Sequence, residues 1–112
     1  MVKVRSVSWN NEAWEICFEI YEGVYRLDNY PVRITHLGES ERDGVEGDLA
    51  VIATGLLRRH MRRGAVPPHA MTINWSRVVR LSQGGEPAVR SAIYRLSEGH
   101  REVLARVISS HF

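Results

Sequence analysis

Apolar and polar residues alternate through the first third of the chain, and that alternation predicts strands. In the stretch 2–9 the apolar members are Val2, Val4 and Val7, interrupted by Lys3, Arg5 and Ser6. Asn10 and Asn11 then read as a turn, because asparagine tolerates positive φ. The clearest signal follows. Trp14, Ile16, Phe18 and Ile20 alternate with Glu15, Cys17, Glu19 and Tyr21, so the first four face a core while Glu15 and Glu19 point to the other side. Glu22-Gly23 predicts a tight turn into a short strand over 24–27. Asp28-Asn29-Tyr30-Pro31 reads as a break before a fourth strand over 32–37. Together these strands form an antiparallel meander.

The period then changes. Residues 38–47 hold Gly38, Gly44 and Gly47 with Glu39, Glu41, Asp43 and Glu46, and Val45 is the one apolar residue, which predicts an exposed loop. Asp48 is the expected cap of a helix over 48–63. On that helix Leu49, Ile52, Ala53, Leu56 and His60 fall on one face, flanked by Leu57 and Met61. Gly64 ends it. Residues 65–68 read as extended, because proline excludes the helical region for its predecessor, and 71–75 adds a strand at the sheet edge. A short helix over 76–82 stops at Gly84-Gly85, and Pro87 suits the first turn of the next helix. Val89, Ile93, Leu96, Val103, Leu104 and Val107 make a stripe along it. Ser97 with Gly99 either splits this stretch at a kink or permits one long helix, and the sequence leaves both open.

These elements predict an α+β fold in one domain spanning 1–112: an antiparallel sheet of four or five strands, packed against a central helix and C-terminal helices. The core candidates are Val4, Trp14, Ile16, Phe18, Ile20, Leu49, Ile52, Leu56, Val89, Ile93, Leu96, Val103, Leu104 and Val107. A chain of 112 residues buries roughly two thirds of the surface it exposes when unfolded, enough for one core. No apolar run approaches the ~18 residues of a membrane span, and the first thirty residues alternate where a leader would be uniformly apolar, so a cytoplasmic location is expected. The C-terminal stripe is long for so small a sheet, which suggests a homodimer joined through the C-terminal helices.

Charge sharpens this picture. Residues 1–50 carry Lys3, Arg5, Arg26, Arg33 and Arg42 against ten acids, while 51–112 carry ten arginines against Glu86, Glu98 and Glu102. One half is acidic and the other basic, a distribution that suits an anionic partner at the basic face and leaves the acidic half for a second partner or for self-association. Fourteen of the fifteen basic residues are arginine, which favours bidentate contacts to phosphate or carboxylate. Cys17 stands alone, so no internal disulfide and no cysteine zinc cage forms.

The densest cluster is Arg58, Arg59, His60, Arg62 and Arg63 at the end of the first helix. Arg58 pairs with Arg62 and Arg59 with Arg63 at i, i+4, so four guanidinium groups project from adjacent rows. Such a patch attracts phosphates. Positive charge in a last helical turn also complements the helix dipole for roughly 0.3–1 kcal/mol, but four arginines exceed that need. The acidic counterpart is Glu39, Glu41, Asp43 and Glu46, which present a negative surface. Glu12, Glu15, Glu19 and Glu22 line the exposed side of the first hairpin and its ends.

The segment Arg77-Val78-Val79-Arg80-Leu81-Ser82-Gln83-Gly84-Gly85-Glu86-Pro87 followed by Ala88-Val89-Arg90-Ser91-Ala92-Ile93-Tyr94-Arg95-Leu96 resembles a helix-turn-helix, its second part being similar to winged-helix recognition helices. The resemblance implies groove-facing roles for Arg90, Ser91, Tyr94 and Arg95. The segment departs from that motif at Gln83, Gly85 and Arg90, which stand where the motif is apolar. Leu96-Ser97-Glu98-Gly99-His100-Arg101-Glu102-Val103-Leu104 is similar to the opening helix of the DNA-binding domain in sigma factors and response regulators. In those families the docking helices follow that segment, and here the sequence runs only to Phe112.

Catalytic signals are sparse. His36, His60, His69, His100 and His111 show no zinc-site spacing, and His60 reads as a boundary core residue. Cys17 lies mid-strand without a glycine elbow and reads as structural. No glycine-rich phosphate loop follows a strand. The expectation is a non-catalytic interaction protein, without cofactor or metal, that regulates or inhibits a macromolecular partner through charged faces. A protein partner is the first expectation. The alternative is a nucleic-acid-binding protein using Arg58, Arg59, Arg62, Arg63, Arg90 and Arg95.

Overall fold

In the computed structural model, which describes residues 1–97, the chain first reverses at Asn11 and Glu12. Both have positive φ, 52° and 61°, the geometry of a type I′ turn, whose twist matches that of the strands it joins. The turn thus falls one residue later than the expected Asn10-Asn11. Asparagine suits such a position. Glutamate does not, and holding one there costs about 1 kcal/mol. Flanking the turn, β1 (Val2–Asn10) and β2 (Ala13–Glu22) pair antiparallel, with Val2 opposite Ile20 and Trp9 opposite Trp14.

A second two-residue turn, at Gly23 and Val24, leads into β3 (Tyr25–Thr35). The expected strands over 24–27 and 32–37 are one continuous strand that ends at Thr35, and the expected break over 28–31 is only a register shift against β2, between the Tyr30–Phe18 and Leu27–Ile20 pairs. Tyr30 explains why: it lies opposite Phe18, is 1% exposed, and its hydroxyl donates to the Pro67 carbonyl at 2.7 Å. Burial also pushes the Tyr30 hydroxyl pKa above its ordinary value. Pro31 is tolerated because β4 (Met71–Asn74) begins only opposite Val32, so Pro31 has a ladder partner on one flank alone.

The sheet order is β1-β2-β3-β4, antiparallel through β3 and then parallel between β3 and β4. A parallel neighbour needs a crossover, and α1 (Val45–Arg62) lies in it. The fold is α+β, with four strands.

Helix α1 starts three residues before the expected cap. Its N-cap is Gly44, with φ of 87° and no side-chain cap, while Asp48 sits one turn inside and is buried. Val45 is buried as well, so the end of the expected exposed loop is helix. The C-terminus falls where the sequence places it. Gly64 takes φ of 64°; its N–H reaches the Met61 carbonyl at 3.0 Å and that of Ala65 reaches His60 at 2.9 Å, a Schellman closure.

Helix α2 (Trp75–Leu81) begins where the last strand was expected to end, because the Asn74 side chain accepts the Arg77 N–H at 2.9 Å and caps it. Residues 87–97 form α3 within the described chain. One face of the sheet, with Trp14, Ile16, Phe18, Ile20, Val32 and Ile34, is buried against Leu49, Ile52, Leu56 and Leu57 of α1. Val78, Val89, Ile93 and Leu96 complete the core, and Val4 is half-buried at its margin. The first part of the C-terminal stripe therefore packs within this chain. Val103, Leu104, Val107 and Gly99 lie outside the described residues. On the other sheet face, Glu15 meets Arg33 at 3.9 Å and Glu19 meets Arg5 at 3.7 Å.

Candidate functional site

Charge is sorted along α1. Its first turn carries Glu46 and Asp48, and its last carries Arg59, His60 and Arg62, an arrangement that complements the helix dipole at both ends. At about 1.5 Å per residue, 18 residues separate the two ends by about 27 Å. Before the helix, Glu39, Glu41 and Asp43 are exposed, as is Glu46 on it. None of the four forms an ion pair among the described residues.

At the basic end the four cluster arginines take different positions. Arg58, Arg62 and Arg63 are exposed, while Arg59 is half-buried and donates to the Leu81 carbonyl at the end of α2. Arg59 therefore braces α1 against α2. Arg59, Arg62 and Arg63 together line a shallow depression with Gln83, Gly84 and Gly85 of the turn between α2 and α3. A smaller cavity of about 50 Å³ adjoins it, where Leu56, Leu81 and Val89 meet Arg59, Arg62 and Glu86. The spacing of Arg58 with Arg62 and Arg59 with Arg63 works against the helix by about 0.2–0.5 kcal/mol per like-charged pair. His60 is half-buried, with Nδ1 2.8 Å from the Leu56 carbonyl, as a boundary residue should be.

The segment resembling a helix-turn-helix is helical where that resemblance places helices, with the glycine turn between. On α3, Val89, Ala92, Ile93 and Leu96 are buried, and Arg90, Ser91, Tyr94 and Arg95 are exposed around a second shallow depression. Arg95 differs from Arg90. It grips Asp48 bidentately, with Nη2 to Oδ1 at 2.7 Å and Nε to Oδ2 at 3.2 Å, and hydrogen bonding to that carboxylate raises its pKa further. Arg42 joins from the preceding loop, donating to the Arg95 carbonyl at 3.0 Å and lying 3.5 Å from Asp48. Arg95 thus belongs to an internal ion-pair node.

Among the described residues, ion pairs engage Arg5, Arg26, Arg33, Arg42 and Arg95. No carboxylate of those residues lies within 4.0 Å of Arg58, Arg59, Arg62, Arg63, Arg77, Arg80 or Arg90. Arg77 and Arg80, both exposed on α2, were not among the expected site residues. Their signal was present in Arg77-Val78-Val79-Arg80, where the two arginines flank a buried and a half-buried valine on one turn of helix.

Among the described residues, no three histidine, cysteine or carboxylate side chains gather as a metal site, and no helix is long and apolar enough to cross a membrane. Comparisons of the chain with protein-family models, with curated proteins and with solved structures found no match.

Proposed function

We propose that this chain is a non-catalytic interaction protein whose basic end docks on a polyanionic partner, with nucleic acid as the partner class. One observation carries the reading: among the described residues, Arg5, Arg26, Arg33, Arg42 and Arg95 pair with carboxylates, while Arg58, Arg59, Arg62, Arg63, Arg77, Arg80 and Arg90 have none. These lie on α1, its C-cap, α2 and α3, and Arg59 joins the first two helices directly. Phosphate groups satisfy such arginines bidentately, and the release of counterions from the strand supplies the driving force. Arg95 contributes by holding α3 against the start of α1, not by contact with the partner.

The test is fluorescence anisotropy with labelled single strands and duplexes of DNA and RNA at low salt. Binding by wild type that is lost in Arg58→Glu/Arg62→Glu supports the reading, and absence of binding at low salt ends it. A second reading has its own observation. Among the described residues, Glu39, Glu41, Asp43 and Glu46 are exposed and form no ion pair, a surface suited to regulating or inhibiting a basic protein. Loss of a captured basic partner on Glu39→Lys/Glu41→Lys would favour it.

A further inference from the structure

All three non-glycine residues of positive φ among the described residues, Asn11, Glu12 and His36 at 52°, 61° and 66°, border one depression at the end of the sheet. Trp9, Thr35, Leu37 and Gly38 complete its wall. The wall is held from two sides. The indole N–H of the buried Trp14 donates to the Gly38 carbonyl at 2.8 Å, and Arg33 donates to the Asn11 carbonyl at 3.3 Å. Trp9 stands edge-on to Trp14, with ring centroids 5.6 Å apart.

Glu12 is the anomaly. It occupies the turn position that favours glycine, and among the described residues its carboxylate has neither an ion pair nor a hydrogen bond. A residue kept against its backbone preference, with an unused charge beside an aromatic ring, is the pattern of a binding position. His36 shares the strain, and its Nδ1 lies 2.8 Å from Thr35 Oγ1. The depression thus offers a carboxylate, an imidazole and an indole, with acidic Glu39 and Glu41 following Gly38 in the chain.

We propose that this depression is a seat for a guanidinium group, an arginine side chain presented by a partner polypeptide. A guanidinium stacks on an indole face and hydrogen-bonds a carboxylate bidentately, which a compact ammonium cannot do. Arg33, which reaches the rim at the Asn11 carbonyl, has its charge offset by the Glu15 carboxylate 3.9 Å away. None of these residues belongs to the basic end, so the seat stands apart from the nucleic-acid reading.

The test is a two-dimensional amide and indole NMR titration of the full chain with N-acetyl-arginine amide, using the uncharged citrulline analogue as a shape control. The arginine probe should shift the Trp9 indole and the Glu12, His36 and Gly38 amides together and saturably, and the citrulline probe should not. Glu12→Gln should weaken binding at least about fivefold by removing the charge-assisted pair. Glu12→Gly should weaken it equally while raising the urea midpoint, which separates loss of the seat from loss of the fold. Arg62→Glu should leave it unchanged. No saturable shift, equal response to citrulline, or wild-type affinity in Glu12→Gln would overturn the proposal.

Discussion

Asp48 and Arg95, 47 residues apart in the chain, meet through a bidentate contact with a shortest distance of 2.7 Å, and this contact fixes α3 against the first turn of α1. The Asp48 side chain is 12% exposed and the Arg95 side chain 52%. The carboxylate is therefore the member with more to lose, since without its partner it would be a largely buried charge with little water to solvate it.

Replacing Asp48 by asparagine should destabilise the chain by about 1–2 kcal/mol, since charge-assisted hydrogen bonds are replaced by weaker neutral ones. Arg95→Gln should lower the urea midpoint as well. Urea unfolding followed by tryptophan fluorescence checks both, and midpoints equal to wild type would show that the node is not structural.

Gly55 faces Val89 across the contact between α1 and α3, and a Cβ there would stand 2.7 Å from Val89 Cγ2. In an exposed helix, glycine to alanine stabilises by about 1 kcal/mol. Here the sign reverses. Valine is stiff at χ1, so the helices must separate, and Gly55→Ala should cost about 1–3 kcal/mol. The Gly55→Ala/Val89→Ala double variant should lose less than the sum of the two single losses, as measured by thermal unfolding.

Burial raises the Cys17 thiol pKa on the less covered face of the sheet, and the Glu15 carboxylate adds to the rise while a Ser6 hydrogen bond offsets part of it. A raised thiol pKa keeps the reactive thiolate scarce until higher pH. The pH profile of iodoacetamide modification should therefore lie to the alkaline side in the native chain relative to the urea-unfolded chain. A shift to the acid side would identify an activated nucleophile.

The elements whose pattern is local were legible in the sequence. β2 announces itself because Trp14, Ile16, Phe18 and Ile20 all enter one core, and α1 because Leu49, Ile52 and Leu56 recur at helical spacing. The continuity of β3 was not legible. Asp28, Asn29 and Pro31 have turn chemistry, and Asp28 and Asn29 do stay exposed at a register shift, but Tyr30 is buried and its hydroxyl is satisfied by the distant Pro67 carbonyl, which no local pattern announces. Asp48 read as a cap for the same reason. Its partner Arg95 is remote in sequence, and local propensity carries no trace of it. The arginine cluster was visible as composition, whereas the separation of Arg95 from Arg58, Arg59, Arg62, Arg63 and Arg90 required the tertiary contact. The depression at Trp9, Glu12 and His36 joins two turns far apart in the chain, and with the turn read at Asn10-Asn11 nothing local marked Glu12, whose positive φ only the structure shows.

The most direct test of the central claim is the salt dependence of nucleic-acid binding, measured by anisotropy with one labelled strand for wild type and Arg62→Gln. If the basic end contacts phosphates, log affinity falls linearly with log salt, and Arg62→Gln lowers the magnitude of the slope by about one. An identical slope in wild type and in Arg58→Gln/Arg62→Gln/Arg63→Gln would contradict the account.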